Sequence, residues 1–123
     1  MITVRVTKPG DGLELRASGH AGYAPRGRDV VCAGVSALLY GFVAYLEELA
    51  PIATAGAQGF CGDGSLWEAS DGDGLLWVRT HGMGGRDTDG FAAVEAGLRL
   101  IARAYPDCVT LEIHTETGDC TIV

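Results

Sequence analysis

A chain of 123 residues has room for one domain and too little for two ordinary ones. Hydrophobic residues at 47% and charged residues at 20% exclude a disordered chain, and a net charge of −7 argues against the basic face that direct binding of RNA or DNA needs. The same balance suits a basic polypeptide as substrate, because opposite charge speeds encounter.

The N-terminus alternates Ile2, Val4 and Val6 with Thr3, Arg5 and Thr7, the period of a strand with one buried face. A signal peptide would carry a basic segment and then an apolar one, and no uncharged apolar run of eighteen residues occurs, so a cytoplasmic protein with no membrane association is expected. Pro9, Gly10, Asp11 and Gly12 supply turn chemistry, and Leu13–Ser18 alternates again, which predicts an antiparallel hairpin. Gly22, Pro25 and Gly27 break regular structure over residues 21–28, leaving a loop that also carries Tyr23, Arg26 and Arg28. It reads either as a flap over Cys32 or as an ordinary exposed connection.

Asp29 stands directly before an apolar run of helical spacing, so a helix is expected from about Val30 to Ala50, closed by Pro51. It carries no charge before Glu47, which predicts a central helix buried nearly all round, with Tyr40 and Tyr45 used for packing. Residues 52–64 have only a weak pattern. Residues 67–70 and 75–80 flank Asp71, Gly72, Asp73 and Gly74, a second hairpin signal. The glycines at 82, 84 and 85 lack the Lys and Ser or Thr of a phosphate-binding loop. Asp87, Thr88 and Asp89 offer N-caps for a second helix to about Tyr105, with Phe91, Val94, Leu98 and Ile101 on one stripe. A strand over Val109–His114 and a short last one from Cys120 complete the chain. The order β-β-α-β-β-α-β defines an α+β fold, a single-domain sandwich of a mostly antiparallel sheet with two helices over residues 1–123. His81 and His114 fall at strand ends with no sequence neighbour arranged to use them, and read as structural.

Chemistry concentrates between Gly19 and Leu39. Asp29 as N-cap accepts from amides two and three residues on, which puts Cys32 in the first helical turn, where the helix dipole favours an anion. His20 follows the second strand, and a loop that folds back brings it to Cys32 as a base. A small buried cysteine beside a turn histidine would share that spacing. Backbone N–H groups at the helix start are candidates to stabilise an oxyanion. Ser36 lies one helical turn beyond Cys32 on the same face. The other cysteines, Cys61, Cys108 and Cys120, form no CxxC pair and no zinc spacing, so reduced thiols, no metal and no cofactor are expected.

The run Gly19-His20-Ala21, then Gly27, Asp29-Val30-Val31-Cys32-Ala33, Val35-Ser36 and Leu38 resembles the signature of the ribosomal-processing cysteine proteases called Prp. Those enzymes cut an N-terminal extension from large-subunit ribosomal protein twenty-seven in Firmicutes and related bacteria. The resemblance implies Cys32 as nucleophile and His20 as base, with Asp29 and Ser36 supporting the site. It implies a substrate-gating loop holding Gly22, Tyr23, Pro25 and Gly27, an aromatic residue ahead of the cut, and a homodimer. Gly34 departs from the pattern, which usually has alanine there, and costs the helix about 1 kcal/mol relative to Ala. The rival readings are a non-enzymatic binding protein of ribosome assembly, with Cys32 a core residue, and a thiol redox sensor pairing Cys32 with Cys61.

Overall fold

Alternating strands and two apolar helical stripes leave few ways to hide one face of each. In the computed structural model, which describes residues 1–51, 66–72 and 74–123, the order is β1 (Ile2–Lys8), β2 (Gly12–Gly19), α1 (Val30–Leu49), β3 (Trp67–Gly72), β4 (Leu75–His81), α2 (Arg86–Ala104), β5 (Val109–Thr115) and β6 (Cys120–Ile122). The α+β order read from the sequence therefore holds. Six strands form one sheet in the order β3-β4-β2-β1-β5-β6. Four neighbouring pairs are antiparallel, while β1 and β5 run parallel. Both helices are crossovers between parallel strands, α1 from β2 to β3 and α2 from β4 to β5, as parallel strands require.

The period-two pattern sends Val4, Val6, Leu13, Leu15, Ala69, Val78, Leu111 and Ile113 to one face, all buried. Against it pack Val31, Val35, Leu39, Phe42, Val43 and Leu46 of α1 and Phe91, Leu98 and Ala102 of α2. Phe42 and Phe91 meet edge to face at 5.1 Å, joining the helices over the sheet. The other face is charged and lies open, with Arg5–Glu112, Arg16–Glu14 and Arg79–Glu68 pairs along it.

Two expectations are corrected. Helix α1 is not buried all round: Ala33, Ala37, Gly41 and Ala44 are exposed, and Tyr40 is 41% exposed. Among the described residues the sheet and α2 cover the helix, and its small residues gather on the side neither reaches. An 18-residue stretch of it with mean hydropathy 1.7 meets the length and composition of a membrane span, yet most of its large apolar side chains are packed in the core. Helix α2 is not capped by Asp87, Thr88 or Asp89; Gly85 is its N-cap, in the left-handed region at φ 87°, with no side-chain cap bond. Asp87 turns inward instead, 2% exposed, and accepts from the Thr80 hydroxyl, whose oxygen in turn accepts the Leu13 N–H at 3.0 Å. A buried carboxylate needs that partner more than the helix needs a side-chain cap. The weakly patterned segment 52–64, with Cys61, and Asp73 of the hairpin turn lie outside the described residues.

Candidate active site

The site is assembled where β2 ends. Gly19 has φ 92°, and a Cβ there would lie 2.2 Å from the Met1 carbonyl oxygen, so only glycine lets the strand leave the sheet at this point. Its N–H donates to the Gly74 carbonyl at 3.2 Å, which ties the end of β2 to the β3–β4 hairpin. His20 comes next, exposed, with its ring beside Gly74: a Cβ on that glycine would sit 3.5 Å from His20 Nε2.

Asp29 then organises both the loop and the helix start. Its Oδ1 accepts from Val31 and Cys32 N–H, both at 3.0 Å, as an N-cap should. Its Oδ2 accepts from Tyr23 at 3.0 Å and Ala24 at 3.2 Å. Hydrogen bonds from Cys32 first, then from Ala24, Tyr23 and Val31, hold the carboxyl below its usual range against the opposing effect of desolvation. The residues expected to form a gating loop make a turn anchored on this carboxylate. Gly22 and Gly27 have φ of 70° and 87°, the Pro25 carbonyl accepts Arg28 N–H at 2.9 Å, and the Tyr23 ring stands edge-on to Tyr105 at 5.3 Å.

Because the chain folds back there, the Ala21 N–H points at Cys32 Sγ, 3.2 Å away. The half-exposed sulfur thus has an amide donor aimed at it from a buried residue. The helix dipole contributes less than the sequence suggests, since its positive end amounts to about half a charge and the Asp29 carboxylate sits on it. The Ala21 N–H is the donor that the fold aims at the sulfur.

His20, Cys32 and Ser36 together line two adjoining clefts. One, of about 370 Å³, runs between α1 and the β3–β4 hairpin over Val35, Leu39 and Leu76 to Tyr40 and Asp71. The other, of about 460 Å³, lies under the loop and is lined by Gly22, Ala24, Arg26, Gly27 and Asp29. No hydrogen bond joins His20 to Cys32 among the described residues; the two share the lining of both clefts. Ser36 is exposed, one turn beyond the cysteine. Pro25 lines neither cleft.

Of the backbone donors expected at the helix start, Val31 and Cys32 N–H go to Asp29 Oδ1, and Ala33 N–H to the Asp29 carbonyl at 3.0 Å. The sequence points to Tyr40 as a packing residue, whereas its hydroxyl donates to Asp71 Oδ2 at 2.9 Å at the far end of the first cleft. His114 does have neighbours, Cys120 Sγ at 3.9 Å and Glu112 at 3.8 Å, brought to it by cross-strand pairing and strand alternation. That group belongs to the β5–β6 edge and lines neither cleft. Among the described residues no cluster of His, Cys, Asp or Glu could hold a metal ion.

A family model described as cysteine protease Prp matches residues 1–110. Two crystal structures of an essential ribosomal processing protease Prp from S. aureus are similar to this chain. One, with a covalently linked product peptide, superposes with a TM-score of 0.72 at 24% identity; the other, with a substrate peptide, gives 0.69 at 22%. Each covers 92% of this chain and 99% of its own. A Streptococcus mutans structure gives 0.63 at 27% identity, covering 94% and 96%. No curated protein matches.

Proposed function

Because the chain belongs to the cysteine protease Prp family, we propose that it is an endopeptidase that removes the N-terminal extension of large-subunit ribosomal protein twenty-seven during ribosome maturation. One observation carries this reading: Cys32, with an amide aimed at its sulfur, shares both clefts with His20 inside the segment that the family model matches. The S. aureus relative, of the same fold, is a ribosomal processing protease held with peptides.

In the reaction, Cys32 Sγ forms a bond to the scissile carbonyl carbon while His20 takes the thiol proton. The C–N bond then breaks, and the same proton goes to the leaving amine. Water, deprotonated by His20, attacks the thioester and releases the new carboxylate and the thiol. Gly22 lines the second cleft, and its N–H, which has no acceptor among the described residues, is the candidate donor for the oxyanion. Asp29 acts as a positioning residue, holding Ala21 and Cys32 together through the loop and the helix start. The Ser36 hydroxyl, a turn further along the cleft, contacts the substrate. A cytoplasmic homodimer completes the reading, and the exposed Ala33, Ala37, Gly41 and Ala44 face of α1 supports it.

The test is incubation of wild type, Cys32→Ala and His20→Ala with a peptide spanning the extension, read by mass spectrometry. The expected result is one cut by the wild type and none by either variant. Cleavage by folded Cys32→Ala would overturn the assignment.

A further inference from the structure

Cys32, Ser36 and Tyr40 succeed one another at i, i+4 and i+8, so they form a single stripe along α1. The first cleft runs along that stripe over an apolar floor and ends at the Tyr40–Asp71 pair. Asp71 is exposed, and the tyrosine hydroxyl uses only its Oδ2. Five of the nine Lys and Arg residues are in ion pairs with acids of β2, β3, β5 or α2. Among the described residues none is paired with Asp71, and no Lys or Arg lines this cleft. The neighbouring cleft differs: it holds Arg26, and its one carboxylate, Asp29, is committed to four backbone amides.

From this we infer that Asp71, oriented by Tyr40, is a specificity-determining residue that binds a Lys or Arg side chain of the substrate, an inference that rests on the protease reading above. A carboxylate with a free oxygen at the end of an apolar trough suits a basic side chain, whose methylene stem lies on Leu39 and Leu76 while its head reaches the acid. The spacing locates that residue. Tyr40 lies about 12 Å beyond Cys32 at 1.5 Å per helical residue, and an extended peptide covers that length in about three or four residues. The reach of a Lys or Arg stem shortens this, which places the basic residue about two to four positions from the scissile bond.

The experiment uses a peptide series carrying Lys, Gln or Glu at each of the four positions on either side of the cut. Wild type, Asp71→Asn, Asp71→Lys and Tyr40→Phe are compared by kcat/KM, and circular dichroism confirms that each variant is folded. The same peptides are titrated by fluorescence anisotropy against Cys32→Ala, which reads binding without chemistry. At one position the wild type should favour Lys over Gln by about five- to tenfold, between the worth of an exposed ion pair and that of a hydrogen bond to a buried charge. The difference should sit in KM, Asp71→Asn should abolish it, and Asp71→Lys should favour Glu. Cleavage with no charge preference at any position, or a preference that survives in Asp71→Asn, would overturn the inference. A Lys preference in binding to Cys32→Ala, with no cleavage by wild type, would retain the basic-residue site and remove the protease reading.

Discussion

Asp29 accepts four backbone hydrogen bonds, two on each carboxylate oxygen, and each oxygen serves a different segment. Asn at this position keeps one acceptor for the helix cap but cannot hold the Tyr23 and Ala24 amides as a carboxylate does. Asp29→Asn should therefore leave α1 formed while releasing the loop, so that Ala21 no longer faces Cys32 reliably and kcat falls more than KM rises. The depressed pKa sets the sign of the pH effect. The carboxylate contributes stability above its unfolded pKa, and that contribution is lost as pH falls through the folded value. Thermal unfolding of wild type and Asp29→Asn should thus differ most at about pH 7 and converge as pH falls below the ordinary carboxylate range; a constant gap across that span would show that the ionisation of Asp29 contributes nothing to the difference. The cap role is legible from the chain, because an N-cap acts on residues two and three positions on. The loop anchoring is not, since contacts inside an irregular segment follow no period. Tyr40 reads as a packing residue for a related reason: its partner Asp71 lies 31 residues away on another element.

Between the helices, three glycines set how closely α1 and α2 approach, and they differ in what an added methyl would meet. At Gly90 a Cβ would fall 2.3 Å from Tyr45 Cε1, on a ring whose hydroxyl is held by the Arg86 carbonyl at 2.8 Å. At Gly97 it would meet the Leu38 methyls at 2.9 Å. At Gly34 it would meet only Ile101 Cδ1, at 3.3 Å, the free end of a side chain that can turn aside. Gly90→Ala should therefore destabilise by about 1–3 kcal/mol, because overpacking against a fixed ring outweighs the gain in helix propensity. Gly34→Ala should stabilise by up to about 1 kcal/mol. Urea unfolding of both variants decides the matter, and a destabilised Gly34→Ala would mean that Ile101 cannot move. Element order, strand alternation and the stripe of α2 are legible because each is periodic in the chain. The small-residue face of α1 is visible as residues but not as exposure, since a helix with no charge before Glu47 gives no sign of which side lacks a neighbour. The Gly85 cap is hidden by three better cap formers that begin two residues after it, and what moves Asp87 inward is Thr80 on β4, a contact that no local pattern encodes.

At the scale of the whole molecule the acids outnumber the bases by sixteen to nine. Five of the nine bases are already matched by close acids. The surplus negative charge therefore acts outward, on whatever approaches, more than it acts on the fold. For a basic polypeptide this field raises the encounter rate while adding little to the contacts made once the peptide is seated. Such steering works over about 10 Å at 0.1 M salt and shrinks to about 3 Å at 1 M, whereas contacts inside the apolar trough of the first cleft are screened much less. The two contributions separate on that basis. For a peptide of net positive charge, kcat/KM should fall several-fold as ionic strength rises from about 0.05 to 0.5 M, with kcat nearly unchanged. A neutral peptide of the same length should show little of that fall. Equal salt dependence for both would mean that the net charge of −7 serves solubility alone, and that discrimination for basic chains rests on the cleft itself.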